Sequence, residues 1–312
     1  MLPKCGSEVL GGVEMKNYDN KQLPESIRYI RKGEKEFPEK LYELADCPKG
    51  IYVYGKLPDA EKKTVAIVGA RMCSAYGRAT ASYFARVLAA NNVQVISGLA
   101  LGVDRAAHEG ALLAGGETFG VLACGVDICY PRANIELYEQ MKHQGGIISE
   151  EPPGYPPLAR LFPKRNRLIS VLADLVVVVE AKKRSGSLIT ADFAGEQGRD
   201  LFAVPGRLED VLSQGCNELI SQGAGIALSP ESLLEIMGKT GKKSDNSKGA
   251  MQNVLAREEN MVYSCLSLQS KSLEQLCKET GMSITSVMES VMLLQLQGLV
   301  KEIGRNRYAK VT

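Results

Sequence analysis

The stretch TVAIVGARMCSAYGRATASYFARVLAANNVQVIS, residues 64–97, contains a complete strand–helix–strand unit. Its two ends, residues 64–68 and 93–97, are short continuous apolar runs, which are typical of strands buried on both faces of a sheet. Residues 76–91 between them are compatible with a helix. Such a unit predicts a right-handed crossover between two parallel strands.

The same alternation continues along the chain and predicts a doubly wound, mostly parallel α/β sheet. Further strands are predicted at residues 51–55, 118–124, 146–149, 174–180, 201–204 and 226–228. Further helices are predicted at residues 102–114, 134–143 and 187–199, with a short amphipathic helix within residues 36–47.

A second, smaller domain is predicted at the carboxyl end. Residues 239–249, KTGKKSDNSKG, have the composition of a linker. Helices are predicted beyond it at residues 254–268, 272–280 and 284–297, followed by a hairpin at 299–311. Three helices and a hairpin are the element order of a winged helix. We therefore expect an extension at 1–50, unstructured over 1–14, a sheet domain at 51–238 and a winged-helix-like domain at 250–312.

Composition restricts the class of protein more than its function. Of 312 residues, 45% are hydrophobic and 24% are charged, which excludes a disordered or fibrous chain. The absence of a signal-peptide pattern and of any long apolar run predicts a cytoplasmic protein without a membrane span. Only two histidines are present, and the eight cysteines form no CxxC pair, so we expect neither a metal nor a cofactor.

The first strand–helix junction, Gly69-Ala-Arg71, precedes a helix whose free N–H groups could receive a phosphate. Arg71 would stand at its mouth. The alternative is a tight turn with Arg71 solvated at the rim, and both interpretations stay open. At the second junction, Gly98 is followed by Asp104 and His108, which share one helix face. We favour a helix-start carboxylate and a helix-face histidine over an acid–base pair.

Residues 160–167 contain four basic residues and no acid, and a second basic cluster follows at 182–184. Phe162 and Asn166 interleave with Lys164, Arg165 and Arg167, a combination that suits a phosphate track with bases stacking beside it. Lys182 precedes Ser185-Gly186-Ser187, which could form an anion-binding nest or an ordinary helix N-cap. On one sheet edge these groups could converge into a positively charged groove.

Seven motifs in this order resemble the DprA/Smf family, whose members bind single-stranded DNA and load the recombinase RecA. They are VGARMCSAYG (68–77), SGLALGVDRAAHEGAL (97–112), YPRAN (130–134), ISEEPPG (148–154), FPKRNRLI (162–169), VVEAKKRSGSLITA (178–191) and AVPGRLEDVLSQGCNELISQGA (203–224).

The resemblance implies an extended Rossmann-like fold and a non-enzymatic role in natural transformation and homologous recombination. It implies protection of incoming single-stranded DNA, RecA as a partner, and an N-terminal helical domain that is truncated or missing here. The predicted DNA contacts are Gly69, Arg71, Ser74, Gly98, Phe162, Lys164, Arg165, Asn166, Arg167, Lys182, Ser185, Gly186 and Ser187. A homodimer is expected through the segment that contains Leu219, Ile220 and Leu233.

Two other functions are weighed against this one. The first is a nucleotide-binding or nucleotide-hydrolysing Rossmann-like enzyme, with Asp192 or Glu196 as its carboxylate. The loop at 185–190 lacks the Gly-Gly-x-Gly-Thr sequence that such phosphoribohydrolases use. The second is a sequence-specific transcriptional regulator. It is disfavoured because the third helix of the last domain contains no Lys or Arg to read bases, although the hairpin is basic.

Overall fold

The computed structural model describes residue 23 and residues 26–239, 257–267, 269–296 and 298–311. The chain divides into two compact units, Met1–Met237 and Gly238–Thr312. The predicted unstructured segment 1–14 and residues 240–249 of the predicted linker lie outside the described residues.

The first unit is built on a nine-stranded sheet in the order β1-β2-β6-β5-β4-β3-β7-β8-β9. The strands are β1 (Ile27–Arg31), β2 (Gly50–Gly55), β3 (Thr64–Val68), β4 (Gln94–Ser97), β5 (Thr118–Leu122), β6 (Gly145–Ser149), β7 (Leu175–Val178), β8 (Asp200–Ala203) and β9 (Gly225–Ile226). Pairing is parallel from β6 to β9, whereas β1 and β2 add to the β6 edge as antiparallel strands. This confirms the predicted doubly wound, mostly parallel sheet.

Over residues 26–237 of the first unit, seven α-helices cover the sheet in two layers. They are α1 (Ala75–Ala90), α2 (Val103–Leu113), α3 (Ile135–His143), α4 (Leu161–Leu172), α5 (Gly186–Glu196), α6 (Gln214–Ser221) and α7 (Pro230–Ile236). Helices α1, α2, α3 and α7 pack on one face, and α4, α5 and α6 pack on the other. Successive residues of β3 point to opposite layers: Val65 and Ile67 face α1, while Ala66 and Val68 face α4. Both faces are therefore apolar, which explains the continuous apolar runs.

Two features near the amino end differ from the sequence prediction. Residues 27–31 form β1, for which no strand was expected because the sequence IRYIR places two arginines among its apolar residues. The amphipathic helix expected within 36–47 is one short 3-10 helix, Glu39–Glu43, whose Leu41 is fully buried.

The strand order reverses between β3 and β7. From β3 the chain moves through β4 and β5 to β6, and then returns through α4 to place β7 on the other side of β3. In open α/β sheets, ligands bind where the order reverses, outside the carboxyl ends of the strands. The fold therefore predicts a ligand site at the loops after β3 and β7.

The described residues of the second unit form three helices and a small sheet. Its elements are α8 (Arg257–Cys265), β10 (Lys271–Ser272), α9 (Leu273–Thr280), α10 (Ile284–Leu296), β11 (Val300–Gly304) and β12 (Arg307–Lys310). The three-stranded sheet has the order β10-β12-β11. Three helices and a hairpin occur in the expected order; a winged helix that acts on DNA stays a prediction.

Among the described residues, no helix is both long and apolar enough to cross a membrane.

Candidate functional site

A cleft of about 460 Å³ lies at the carboxyl ends of β3 and β7, where the strand order reverses. Its walls come from the loop after β3, the first turns of α4 and the loop that leads from β7 into α5. These are the segments that carry most of the predicted contacts. Gly69, Arg71, Phe162, Arg165, Asn166, Lys182, Ser185, Gly186 and Ser187 all line it.

Aromatic and guanidinium groups meet at the mouth of the cleft. The Arg71 guanidinium carbon lies 5.1 Å from the centre of the Phe162 ring, a cation–π distance. The Tyr130 ring lies 5.8 Å from the Phe162 ring at an interplanar angle of 53°. Tyr130 is 44% exposed and Phe162 is half-buried, so both present ring surface to solvent. A planar group could stack here beside a fixed positive charge.

The opposite wall supplies further cations and the start of a helix. Lys182 and Arg184 are exposed and line the cleft. Ser185 caps α5 by accepting a hydrogen bond from the Ser187 N–H, and the two hydroxyls lie 2.8 Å apart. The ordinary N-cap is therefore present. The free N–H groups and positive dipole end of α5 also favour an anion at this wall.

Asn166 ties the two walls together. Its side-chain amide donates to the Gly186 carbonyl at 3.1 Å, and its carbonyl oxygen accepts from Arg165 Nε at 3.2 Å. Asn166 is buried, so the interaction holds α4 against the loop before α5. Asn166 thereby fixes the distance between the two walls of the cleft.

Arg165 is a buried support beneath the cleft rather than an open phosphate ligand. It donates from Nη1 to the Gly98 carbonyl at 2.8 Å and to the Val121 carbonyl. Burial lowers the pKa of Arg165 to about 10, against the opposing effect of the nearby Asp104 charge. Burial raises the pKa of Asp104, although the Arg165 charge and the N–H groups of Gly98 and Ala100 favour its ionised form. Arg165 therefore ties the loop after β4 to the end of strand β5.

Gly98 is also below the cleft rather than in it. The residue is buried, and a Cβ atom there would lie 2.8 Å from both Arg165 Nη2 and Asp104 Oδ2. Glycine is required because Arg165 and Asp104 approach the backbone this closely. Gly98 therefore has a packing role and does not line the cleft, while its contact with DNA stays a prediction.

The loop after β4 is held in an unusual conformation. Leu99 has a positive φ of 55°, which is uncommon for a residue with a side chain. The buried Asn134 side chain donates to the carbonyls of Leu99 and Ala100 at 2.9 and 3.3 Å. These bonds compensate for the unfavourable φ and hold Ala100 in the cleft wall.

The amino end of α1 is already occupied by a carboxylate of the protein. The Ser74 N–H and hydroxyl donate to the two carboxylate oxygens of Glu180 at 2.8 and 2.5 Å. A Cβ on Gly77 would lie 2.3 Å from the Glu180 carboxylate. Glu180 is buried and takes the place in which a phosphate was considered. Ser74 thus caps α1 and contacts Glu180, and it does not line the cleft.

Two cations of the basic run 160–167 point away from the cleft. Arg167 has a side chain only 4% exposed and forms ion pairs with Glu150 at 2.6 Å and Asp46 at 3.0 Å. Lys164 is exposed and faces the same Glu150 at 3.4 Å. Residues 164 and 167 are three apart and share the face of α4 that meets Glu150. Contrary to the prediction, Lys164 and Arg167 do not line the cleft, while a contact of these residues with DNA stays a prediction.

The expected dimer residues lie largely inside the first unit. Leu219 and Leu233 are buried in its core, and Ile220 is half-buried against it. Exposed apolar side chains occur nearby instead, at Ile226 on β9, at Leu228 after it and at Ile236 on α7. A dimer interface at Leu219, Ile220 and Leu233 stays a prediction, since core and interface residues share the same apolar composition.

The groups considered for acid–base chemistry have structural partners: Asp104 Oδ2 accepts hydrogen bonds from the N–H groups of Gly98 and Ala100. His108 is fully buried and bonds through Nδ1 to Thr118 Oγ1 at 2.7 Å, and burial lowers its pKa to about 3. Glu196 and Asp192 are exposed on α5 and do not line the cleft. Among the described residues, Asp104 is the only carboxylate in the cleft wall. The interpretation of His108 as a structural helix-face residue is supported.

Sequence reasoning overlooked four residues of this site. Arg184 lies in the predicted basic cluster 182–184 but is not among the predicted contacts, and Tyr130, Asn134 and Glu180 are not among them either. Tyr130 and Asn134 both belong to the YPRAN motif at 130–134, a signal that was noted without a role.

The sequence model of the family described as DNA recombination-mediator protein A matches residues 28–238. The chain belongs to this family. The matched segment begins in β1 and ends just after α7, so the recombination-mediator region includes the whole sheet and the cleft.

Relatives in this family carry the names DprA and Smf. DNA processing protein DprA of Streptococcus pneumoniae is 42% identical over 198 residues, which are 64% of this chain and 70% of the relative. Protein Smf of Escherichia coli is 42% identical over 200 residues, 64% of this chain and 54% of the relative. The alignments therefore span about half to two thirds of these proteins.

Solved structures of the family share the fold. The X-ray structure of DprA from Streptococcus pneumoniae has a TM-score of 0.65 and 40% identity, covering 68% of this chain and 74% of that one. DNA processing protein A from Helicobacter pylori has a TM-score of 0.61 and 31% identity, covering 68% and 96%. The latter structure addresses how that protein binds single-stranded DNA.

Proposed function

We propose that this protein binds single-stranded DNA in the cleft at the carboxyl ends of β3 and β7. The observation that carries the proposal is the Phe162 ring, half-buried between the Arg71 guanidinium and the exposed Tyr130 ring. Bases stack on aromatic side chains without regard to sequence, and such stacking requires unpaired bases. Duplex DNA keeps its bases paired and stacked, so it cannot use this platform.

The exposed cations of the cleft would bind the phosphate groups of the DNA. Arg71, Lys182 and Arg184 surround the ring platform, and the α5 amino end adds N–H donors. Phosphate oxygens suit these groups, and release of counterions makes such binding strongly dependent on salt. Arg165 and Asn166 position the walls, so the cleft is preorganised.

We propose further that binding here is not followed by catalysis. Asp104, the cleft carboxylate among the described residues, is committed to the N–H groups of Gly98 and Ala100. The amino end of α1, where many α/β folds bind nucleotide phosphate, holds Glu180. Both observations favour a binding protein over a nucleotide-hydrolysing enzyme.

In the cell, the protein would protect incoming single-stranded DNA in the cytoplasm and deliver it to RecA during transformation and homologous recombination. Membership of the recombination-mediator family supports this role. A homodimer would bring two clefts to one strand. Strand β9 lies at the edge of the sheet, and it carries the exposed Ile226, with the exposed Leu228 following it.

The test is fluorescence anisotropy with labelled single-stranded and duplex oligonucleotides at several salt concentrations. The unmodified protein should prefer the single strand and show a steep negative salt dependence. Arg71→Ala and Lys182→Ala should each weaken binding and reduce the salt slope by about 0.7, the value for one phosphate contact on a single strand.

Lys164→Ala provides the matched control, since it removes an exposed cation of the neighbouring helix turn that faces Glu150. Its affinity and slope should equal those of the unmodified protein. Equal binding of single strand and duplex, or a folded Arg71→Ala, Lys182→Ala double variant with full affinity, would contradict the proposal.

A further inference from the structure

A second groove continues from the cleft, on the far side of Arg71. It has a volume of about 540 Å³ and lies between the amino ends of α1 and α2. Arg71 and Met72 line both the cleft and this groove, so the two cavities adjoin. The other lining residues are Arg78, Leu101, Gly102, Arg105, Ala106 and Glu109.

The floor of this groove is a close contact between two loops. Gly102 has a φ of +78°, and a Cβ there would lie 2.3 Å from the Ala70 carbonyl and 2.4 Å from the Arg71 carbonyl. The Val103 N–H donates to the same Ala70 carbonyl at 3.2 Å. The loop that carries Arg71 is thereby fixed to the start of α2, and the groove keeps its position relative to the cleft.

The charge of the groove favours an anion. Three arginines line it against one carboxylate, Glu109, which Arg105 engages at 2.7 Å. Arg105 also donates to the Ala133 carbonyl at 3.2 Å, so its position is determined. Arg71 and Arg78 are exposed and form the positive rim.

A groove on the opposite side of the cleft lacks this excess. It begins at Arg184, Ser185 and Gly186, and has a volume of about 450 Å³. Its two cations, Lys183 and Arg184, are balanced by Asp192 and Glu218. A polyanion that fills the cleft therefore meets a positive surface in one direction and a neutral one in the other.

Two exposed apolar side chains lie among the arginines. Met72 is 86% exposed and Leu101 is 41% exposed. Both line the positive groove. Aliphatic side chains lose water-exposed area when they pack against the flat face of an unpaired base. The groove thus repeats the combination of cations and apolar surface that the cleft has.

We infer that single-stranded DNA leaves the cleft past Arg71 into the groove between α1 and α2, and that Arg78 and Leu101 form a second subsite. This inference rests on the proposed function of the cleft. It specifies the direction in which the DNA strand crosses the molecule. It also specifies the preferred ligand, which is a single strand long enough to fill both cavities.

Strand length separates the two subsites. Anisotropy should be measured with oligonucleotides of about 4 and about 12 nucleotides, within the range of site sizes for single-strand-binding folds. Arg78→Ala should leave binding of the short strand unchanged and weaken the long strand about 3- to 10-fold. For the long strand alone, the salt slope should fall by about 0.7. Lys183→Ala, an exposed cation of the balanced groove, is the matched control and should change neither strand.

A second measurement does not depend on removing a charge. The chain contains no tryptophan, so Leu101→Trp introduces a single indole into the groove. Its fluorescence should change with the long strand and not with the short one. Lys183→Trp reports on the other groove and should not respond to either strand.

The outcomes distinguish this inference from the proposal beneath it. If Arg71→Ala weakens both strands while Arg78→Ala and Leu101→Trp respond to neither, the strand does not enter the groove and the inference is wrong. If Lys183→Trp responds in place of Leu101→Trp, the strand runs in the opposite direction, which also overturns it. If Arg71→Ala and Lys182→Ala have no effect, the proposed cleft itself fails.

Discussion

At the scale of single residues, several ionisable side chains near the cleft hydrogen-bond the backbone of loops and are not available to a ligand. Arg165, Asp104 and Glu180 are buried, and each hydrogen-bonds a backbone group next to the cleft. Their removal would leave buried donors or acceptors unpaired, which costs about 1–3 kcal/mol for each neutral group. Side chains that stay exposed, such as Arg71 and Lys182, are the ones available to a ligand.

His108 gives a prediction on pH at this scale. Its neutral form is the native one, because burial lowers its pKa from 6.5 to about 3. In the unfolded chain it binds a proton below pH 6.5, so stability contributed by this residue is lost as pH falls from 6.5 towards 3. The loss should approach 1.4 kcal/mol per pH unit, about tenfold in the folding equilibrium.

Urea unfolding at pH 7.5 and pH 5.5 measures this effect. His108→Gln should be less stable than the unmodified protein at pH 7.5, and the difference should shrink at pH 5.5. His143→Gln, at an exposed histidine on the last turn of α3, should behave as the unmodified protein at both values. A difference for His108→Gln that is independent of pH would contradict the assignment.

The sequence predicts which loops form the site better than which side chains face it. Gly-Ala-Arg71, the start of α4 and the 182–187 segment were all expected at the sheet edge, and all three line the cleft. Lys164 and Arg167 lie outside the cleft lining because they face Glu150, a contact between segments that the local sequence does not indicate. Glu180 was missed because a carboxylate that fills a helix amino end leaves no local pattern.

At the scale of elements, α1 and α2 pack closely through a small residue. A Cβ on Gly110 of α2 would lie 2.3 Å from the Ser82 carbonyl of α1. This contact involves backbone, which cannot move aside without separating the helices. Because the groove lies between the amino ends of the same two helices, their spacing also sets its width.

Gly110→Ala should therefore destabilise the protein by about 1–3 kcal/mol, the usual cost of overpacking. Gly195→Ala on α5 is the matched comparison, since its added methyl group meets nothing within 4 Å. That change should stabilise the protein by about 0.4–1 kcal/mol by restricting the unfolded chain. Thermal unfolding of both variants measures the difference in stability. Equal shifts in unfolding temperature for the two variants would contradict the prediction.

Strands in the middle of the sheet follow the sequence prediction within about one or two residues, because burial on both faces leaves an apolar run. Residues 64–68 were predicted as a strand and form β3. Strand β1 was not predicted, because an edge strand solvated along one side tolerates Arg28 and Arg31. Predictability therefore declines from the centre of the sheet to its edge.

At the scale of the whole molecule, the exposed side chains place the proposed homodimer interface at the β9 edge of the sheet. Leu228 is 75% exposed next to β9, whereas Leu233 is fully buried. Leu228→Asp should convert a dimer to a folded monomer, measured by light scattering during size-exclusion chromatography. Leu113→Asp, at a 77% exposed leucine on the last residue of α2, should keep the dimer. A dimer that survives Leu228→Asp would exclude this edge.

The order of the strands in the sheet has a consequence for biosynthesis. Strands β1 and β2 pair with each other, but β2 ends at Gly55 and its other neighbour, β6, begins only at Gly145. A two-stranded hairpin is marginally stable alone. On the ribosome, this hairpin therefore waits without its partner until β3, β4 and β5 have been translated. During that interval the nascent chain exposes the strand edge of β2. Slower translation between Gly55 and Gly145 should therefore lower the yield of folded protein.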